Sequence, residues 1–210
     1  MRRRLLAAAG AGYLLGVVPS AALAARAVSG GKIDLRSAGT GNPGGANAFR
    51  LLGRRAGVAV TCADIAKGAL ACRLGRALAG DAGAHVAGVA AVAGHCYPAP
   101  ARFRGGMGVA TSVGQCLATF PAYMPLDVAV AVAVGKLAPR RHRVALSLAV
   151  SSGLWVTAGA VWWRRRLPNL WGVAPSPLLP LANAATSGLI ASRGLIAVRK
   201  RRRTEVAPAP

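Results

Sequence analysis

Uncharged stretches and clusters of arginine alternate along this chain of 210 residues. Stretches of about 20 residues or more without Asp, Glu, Lys or Arg occur at 5–25, 82–101, 105–126, 144–163 and 167–192. An α-helix needs roughly 20 apolar residues to cross a bilayer. The alternative is a soluble, alanine-rich helical protein, but uncharged windows of this length are rare in soluble helices. The pattern therefore predicts several membrane-spanning helices.

A further, weaker span is expected at residues 56–79, which carry ionisable side chains. Asp64 and Lys67 are three residues apart, so they share one helical face and can form an ion pair. Ionisable residues inside a span usually face the protein interior and often serve function. A structural ion pair near the membrane edge is the other interpretation, and the sequence leaves both open.

Prolines divide the middle of the chain. Residues 108–138 are long for one span and short for two, and Pro121, Pro125 and Asp127 interrupt them. We therefore expect two short helices joined at the prolines. The first 27 residues also have the features of a cleavable signal peptide. An uncleaved span is favoured because further spans follow.

These segments define the expected fold. The fold class is all-α: a polytopic integral membrane helical bundle of about seven transmembrane helices, with short re-entrant or cytoplasmic glycine-rich loops. Residues 1–198 are expected to form a single membrane-embedded domain and 199–210 a basic, disordered tail. The spans not yet given are expected at 5–25, 82–101, 144–163 and 171–198.

The net charge of +22 bears on the expected partners of the protein rather than on its fold. A strongly basic chain first suggests nucleic acid. Here the charges lie at the ends of apolar stretches without a basic stripe interleaved with aromatics, so we expect no nucleic-acid partner. The pattern is typical of lipid headgroup contacts and of the positive-inside bias. With seven spans, one face would hold most of the charge, in loops 26–55, 102–107 and 136–143 and the tail.

Two polar, glycine-rich loops interrupt the apolar pattern. Residues 36–50 read RSAGTGNPGGANAFR, and glycines of this kind can turn successive backbone N–H groups toward an anion. Arg36 and Arg50 can add charge-assisted hydrogen bonds to phosphate. Residues 94–111, GHCYPAPARFRGGMGVAT, place a second such loop just before a helix N-terminus, which also attracts anions. His95 precedes that loop and is a candidate base, although a lone histidine at a span end is more often structural. The four cysteines have no C-x-x-C spacing, so we expect no metal site.

Four motifs occur in a fixed order between about residues 10 and 115. The first motif comprises Asp34, Arg36, Gly39, Thr40, Gly41, Asn42, Gly44, Asn47, Arg50 and Gly53. The others comprise Asp64, Lys67 and Gly68, then Gly94, His95 and Pro98, and finally Phe103, Arg104, Gly105, Gly106, Gly108, Val109, Ala110 and Thr111. Together these motifs resemble the PlsY family of bacterial membrane glycerol-3-phosphate acyltransferases that use acyl phosphate.

The resemblance implies an enzyme that transfers a fatty acyl group from acyl phosphate to the 1-hydroxyl of sn-glycerol 3-phosphate, giving lysophosphatidic acid for phospholipid synthesis. Catalysis would involve Thr40, Asn47, Arg50 and His95. Substrate binding would involve Arg36, Gly39, Gly41, Asn42, Gly44, Lys67, Arg104, Gly105, Gly106, Gly108 and Thr111. The resemblance implies no metal, no CoA and no other cofactor. Its partners would be the two substrates and membrane lipids, in a bacterial inner (plasma) membrane with the site loops facing the cytoplasm.

The chain departs from the family pattern at several positions. Thr40 replaces a usual serine, Gly45–Ala46 replaces an Ala-Thr pair, and Met107 replaces a lysine. The usual C-terminal H-R-x-N motif is not visible, and its region reads SRGLIAVRKRRRTE from Ser192. Two alternatives therefore stay open: a catalytically silent membrane protein of the same fold that binds phosphorylated lipid precursors or a partner, and a small transporter that uses Asp64 and Lys67.

Overall fold

The computed structural model describes residues 1–206, with side chains described up to residue 199, and helices joined by loops make up the described chain. Its helices are α1 (Arg2–Val17), α2 (Ser20–Ser29), α3 (Gly45–Leu52), α4 (Arg54–Cys96), α5 (Val109–Thr119), α6 (Met124–Leu137), α7 (Arg143–Arg165) and α8 (Leu178–Val206). Two short 3₁₀ helices lie at Ala99–Ala101 and Pro121–Tyr123. No strand occurs within residues 1–206, so the all-α prediction is confirmed.

The number of membrane crossings is close to the expected seven. Four helical stretches within the described chain are long and apolar enough to cross a bilayer, and the bent pair α5–α6 makes a fifth. One of the four is α4, whose two arms fold back on each other and can each cross. The chain is therefore a multi-pass membrane protein.

The first span is broken in the middle, which the sequence analysis did not predict. Helix α1 ends at Val17 and α2 begins at Ser20, with Pro19 between them. Proline lacks an N–H and its ring clashes with the preceding turn, so a helix cannot continue through it without a kink. The break exposes backbone groups around Val18 to the neighbouring helices.

The long helix α4 is a hairpin of two antiparallel arms, 54–78 and 81–96. Its backbone leaves the helical region at Ala79 and at Gly80, where φ is +64°. Gly75 and Gly83 face each other so closely that a Cβ on either would overlap the carbonyl of the other. Small residues at helix interfaces in membranes allow this approach. The arms confirm the predicted spans at 56–79 and 82–101, although the second arm ends at Cys96.

The predicted pair of short helices in 108–138 is confirmed. Helix α5 and the segment containing α6 meet at an angle of 114° across Pro121. Phe120 and Tyr123 at this bend are buried, and Phe120 packs edge-on against Trp162 of α7. Further along, Ser151 of α7 donates a hydrogen bond to Asp127 of α6, which places these two helices side by side and antiparallel.

Helix α8 begins later than the sequence predicts. Residues 171–177 were expected to be helical, but they are irregular because Pro175 and Pro177 cannot donate helical hydrogen bonds. The helix then continues to Val206, into the segment 199–210 predicted to be a disordered tail. Residues 207–210 of that segment lie outside the described residues, and the tail stays a prediction.

The two glycine-rich loops lie at one end of the bundle, which we call the site end. The tip of the α4 hairpin lies at the other end, where the Asp81 carboxylate accepts a hydrogen bond from the Ala174 N–H. Because α4 folds back at that tip, its first residue, Arg54, and its last residue, Cys96, both lie at the site end. The α1 helix runs parallel to the second arm, with Gly12 against Ala87 and Gly16 against Ala91.

Candidate active site

The first glycine loop is built around the buried side chain of Asn47. The Asn47 amide donates hydrogen bonds to the carbonyls of Leu35 and Ala38 at 3.1 and 3.0 Å. Its oxygen accepts the Thr40 N–H at 3.0 Å. A Cβ at residue 39 would overlap that oxygen, and the φ of Gly39 is +62°, so only glycine fits there. Asn47 therefore fixes the loop from within.

Several backbone amides of this loop are already bonded. The Thr40 N–H goes to Asn47, the Gly41 N–H to the carbonyl of Ala38 and the Gly44 N–H to the carbonyl of Asn42. The Asn42 N–H approaches the Thr40 hydroxyl at 3.4 Å. Few amides are therefore free within residues 40–44, whereas the N–H groups of Gly45, Ala46 and Asn47 at the start of α3 have no partner among the described residues. An anion at this loop could contact those amides or side chains such as the exposed Thr40.

The second glycine loop folds back onto the end of α4. The Gly105 and Gly106 N–H groups donate to the carbonyls of Cys96 and His95 at 3.2 and 3.1 Å. A Cβ on Gly106 would overlap the His95 imidazole, so glycine at this position allows the loop to cover that ring. Gly108, with φ at +86°, then begins α5 against the side chain of Cys96.

A direct contact joins the two loops. The Arg36 Nε donates to the carbonyl of Arg104 at 3.1 Å. The same guanidinium lies 4.0 Å from the exposed carboxylate of Asp34, a distance at which an exposed ion pair contributes little. Arg104 thus contributes its backbone to the site in this conformation.

A pocket of about 500 Å³ lies between the loops and the break in the first span. Val17, Val18, Pro19 and Ser20 form one wall. A second part of the lining, the cationic wall, consists of Arg36, Lys67, Gly94, His95, Gly105 and Gly106. The pocket therefore brings two cationic side chains and an imidazole together beside an apolar wall.

The ion pair between Asp64 and Lys67 predicted from their spacing is present and buried behind this pocket. The Lys67 Nζ lies 2.9 Å from the Asp64 Oδ1, and the two side chains are 7% and 1% exposed. The Lys67 ammonium also donates to the carbonyl of Val18 at 3.2 Å, one of the groups exposed by the α1–α2 break.

The residues expected to form the site fall into two groups. Those that line the pocket are Arg36, Lys67, His95, Gly105 and Gly106. Those that do not line it, but shape or flank the loops, are Gly39, Thr40, Gly41, Asn42, Gly44, Asn47, Arg104 and Gly108. Arg50 is exposed on α3, away from the pocket wall. Thr111 is buried on α5, and its hydroxyl has no hydrogen-bond partner among the described residues.

Arg193 of α8 is a further site residue, and it lies in the region where the C-terminal motif is not visible in the sequence. Its guanidinium donates to the carbonyls of Gly105 at 2.5 Å and Gly106 at 3.2 Å. It lies 5.4 Å from the centre of the Tyr97 ring, and the Tyr97 hydroxyl is 2.6 Å from that of Ser192. The available signal was a single arginine directly after a long uncharged stretch, because charges at such positions usually have a partner inside the protein.

The fold and the site together define a polytopic membrane protein with a cationic pocket between two glycine loops at one end of its bundle. The family model described as glycerol-3-phosphate acyltransferase matches residues 6–199. The chain belongs to this family.

Individual relatives and solved structures support the assignment. A glycerol-3-phosphate acyltransferase of Thermoanaerobacter pseudethanolicus is 36% identical over 151 residues, which cover 72% of this chain and 74% of that protein. One from a Geobacillus species is 50% identical over 105 residues, which cover 50% and 52%. The crystal structure of PlsY, an integral membrane glycerol 3-phosphate acyltransferase, in its glycerol 3-phosphate form matches with a TM-score of 0.69. It is 23% identical and the match covers 98% of this chain and 96% of that one, so it supports the fold.

Proposed function

We propose that this chain is a membrane glycerol-3-phosphate acyltransferase. It would transfer a fatty acyl group from acyl phosphate to the 1-hydroxyl of sn-glycerol 3-phosphate and release lysophosphatidic acid. The relatives bear the name of this activity, and the similar PlsY fold has been crystallised in glycerol 3-phosphate and lysophosphatidic acid forms. The observation that carries the proposal is the pocket that combines Arg36, Lys67 and His95 with an apolar wall.

The pocket chemistry suits a substrate with a phosphate at one end. Arg36 and Lys67 both supply positive charge to the pocket, and charge-assisted hydrogen bonds to phosphate are among the stronger polar contacts in proteins. Thr40 and Asn42 present side chains at the edge of the first loop, and Arg50 adds charge on α3. We propose that these side chains hold the phosphate groups.

The apolar wall suits the acyl chain of the donor. Val17, Val18 and Pro19 lie at the break between α1 and α2, where the pocket meets the membrane-spanning part of the bundle. An acyl phosphate carries both a long apolar chain and a phosphate, so it can use this wall and the cationic wall at once. We therefore propose acyl phosphate as the donor, and the resemblance implies no CoA, metal or other cofactor.

The reaction depends more on the positioning of its two substrates than on strong acid or base catalysis. The 1-hydroxyl oxygen attacks the acyl carbonyl carbon, a new ester C–O bond forms, and the bond from that carbon to the phosphate oxygen breaks. Inorganic phosphate leaves, and the hydroxyl proton passes to the His95 imidazole or to a phosphate oxygen. Acyl phosphate is already activated, so orientation and fixed positive charge supply much of the rate.

The two remaining site residues support the loops. Asn47 makes three hydrogen bonds within the first loop, so we propose that it acts through the position of Thr40. Arg193 holds the second loop from α8, and we propose that it does part of the work of the family's missing C-terminal motif. The site end, which carries most of the arginines, would face the cytoplasm of a bacterial cell.

Acyl transfer in isolated membranes tests this proposal. Membranes that contain the full chain are given palmitoyl phosphate or palmitoyl-CoA together with radiolabelled glycerol 3-phosphate. We expect lysophosphatidic acid to form with palmitoyl phosphate and not with palmitoyl-CoA. We also expect no lysophosphatidic acid from Thr40→Ala and Arg50→Ala proteins that insert normally. Unchanged formation of lysophosphatidic acid in both variants would contradict the assignment of Thr40 and Arg50 to the site. No product from well-inserted wild-type protein would favour the catalytically silent alternative, which the departure at Met107 and the missing C-terminal motif support.

A further inference from the structure

A single buried carboxylate lies directly behind the pocket wall. Asp64 is 1% exposed and is not itself a lining residue. Its Oδ1 accepts a hydrogen bond from the Ser20 hydroxyl at 2.5 Å, and it lies 2.9 Å from the Lys67 Nζ and 3.6 Å from the His95 Nδ1. All three of these partners line the pocket. One oxygen atom therefore connects three pocket side chains from α2 and from both arms of α4.

The contact with His95 orients its ring. The Nδ1 faces Asp64, and the opposite edge of the ring, with Nε2, lies against Gly106 of the second loop. When Nδ1 carries the proton that faces the carboxylate, Nε2 keeps its lone pair for a proton or a hydrogen bond from the pocket. The distance of 3.6 Å is that of an ion pair and exceeds a hydrogen bond. Contacts of this kind often shorten when substrate binds.

The contact with Lys67 places its ammonium on the pocket wall. Two of its three N–H groups are directed to the Asp64 carboxylate and the Val18 carbonyl, which leaves one for a ligand. A buried ammonium needs a nearby opposite charge to remain charged. Asp64 supplies that charge without occupying the pocket.

The Asp64 carboxylate also holds the break between α1 and α2 in place. Ser20 begins α2 directly after Pro19, and its hydroxyl bond to Asp64 ties this break to the first arm of α4. The apolar wall and the cationic wall of the pocket thus meet at the same oxygen. A simple ion pair within one helix would not make this connection.

We propose that Asp64 is a positioning residue for acyl transfer: it sets the ring of His95, the ammonium of Lys67 and the α1–α2 break relative to one another. This inference rests on the proposed function. Asp64 does not touch substrate. It acts on turnover through His95 and on glycerol 3-phosphate affinity through Lys67.

The test compares two aspartates of the same helix. In the full chain reconstituted into liposomes, Asp64→Asn keeps the shape of the side chain but removes its charge. The matched control is Asp81→Asn, which alters the Arg76 ion pair at the distant hairpin tip. We expect kcat of Asp64→Asn to fall about 100-fold, within the range that a positioned acid or base contributes. We expect KM for glycerol 3-phosphate to rise about tenfold, and the control to match the wild type.

A thermal unfolding midpoint, measured for each protein, separates positioning from folding. Asp64→Asn that unfolds near the wild-type temperature and loses kcat supports the inference. Equal kcat and KM for the two variants would overturn it, as would a kcat loss accompanied by an equally large loss of folded protein.

Calorimetric titration with glycerol 3-phosphate distinguishes this inference from the proposed function. If wild-type protein forms no product, the proposed function fails, and binding still tests Asp64. Affinity at least tenfold weaker in Asp64→Asn than in Asp81→Asn would then support a positioning role at the binding step. Equal affinities, or no binding by the wild type, would overturn it.

Discussion

The two glycine loops of this protein have similar compositions but are held in place by different means. The first loop is fixed by Asn47, a side chain only seven residues from Thr40. The second is fixed by its contacts with the end of α4 and by Arg193, which lies 87 residues from Gly106 along the chain. The first loop therefore folds as a local unit, whereas the second depends on the assembled bundle.

This difference suggests separate roles in the site. A locally fixed loop keeps its shape when the helices shift, which suits a loop that presents Thr40 to substrate. A loop that covers His95 and is bonded to α8 depends on the packing of α4, α5 and α8. Substitutions that loosen one loop should leave the other intact, and the expected effects below test that separation.

The largest effect is expected from Asn47→Ala in the first loop. This change removes three hydrogen bonds and leaves the Leu35 carbonyl and the Thr40 N–H without partners. We expect acyl transfer to fall by more than about 100-fold, because misplacement of a site by 1 Å can cost that much. Asn47→Asp keeps the acceptor for the Thr40 N–H, so an intermediate loss is expected. Initial rates in membranes measure both, and wild-type activity in the alanine variant would contradict the role of Asn47.

The next largest effect is expected from Gly106→Ala in the second loop. The new Cβ would overlap the imidazole of His95, so either the ring or the loop must move. We expect kcat to fall about 100-fold while the first loop is unaffected. Gly188→Ala in α8 is the control, because nothing lies within 4 Å of its Cβ position and alanine is the better helix former. Comparable rates for the two variants would show that the His95 position does not matter.

A smaller loss is expected from Arg193→Ala, which releases the second loop from α8. Hydrogen bonds from charged donors are worth about 1.5–3 kcal/mol, so we expect kcat/KM to fall about tenfold or more. Arg193→Lys keeps the charge but not the paired donors, and should recover only part of the loss. Arg199→Ala, an exposed position on the same helix, should match the wild type. Full activity of Arg193→Ala would mean that the second loop keeps its conformation without Arg193.

The smallest effect is expected from Arg36→Lys, which keeps the charge in the pocket but loses the bond to the Arg104 carbonyl. This bond is exposed to solvent and contributes about 1 kcal/mol, less than the two bonds of Arg193, so we expect KM for glycerol 3-phosphate to rise roughly fivefold with kcat unchanged. Steady-state kinetics give both constants. A kcat loss as large as that of Gly106→Ala would show that the loops are coupled rather than separate.

The sequence predicts the features that follow from local chemistry. Uncharged stretches gave the spans, glycine and arginine gave the two loops, and the spacing of Asp64 and Lys67 gave their ion pair. The break at Pro19 was missed because the surrounding residues are uniformly apolar, although proline itself was a signal. The Arg193 contacts and the shared oxygen of Asp64 could not be predicted, since they depend on how distant helices pack.

The loop amides show a further limit of sequence interpretation. Glycine content indicated a backbone that can take positive φ, and Gly39 and Gly41 do so. It also suggested free N–H groups for an anion, but the turns direct several of those groups to Ala38, Asn42 and Asn47. Composition thus indicates where a backbone can bend, while the partners of its hydrogen bonds are set by the folded loop.

The central claim is that this pocket transfers an acyl group from acyl phosphate to glycerol 3-phosphate, and the stoichiometry of products tests it most directly. Wild-type protein in liposomes is given palmitoyl phosphate with and without glycerol 3-phosphate, and inorganic phosphate and lysophosphatidic acid are measured together. The account predicts one phosphate released for each lysophosphatidic acid formed, both dependent on glycerol 3-phosphate and both absent in Thr40→Ala. Phosphate release without lysophosphatidic acid, or identical traces from wild type and Thr40→Ala, would contradict it.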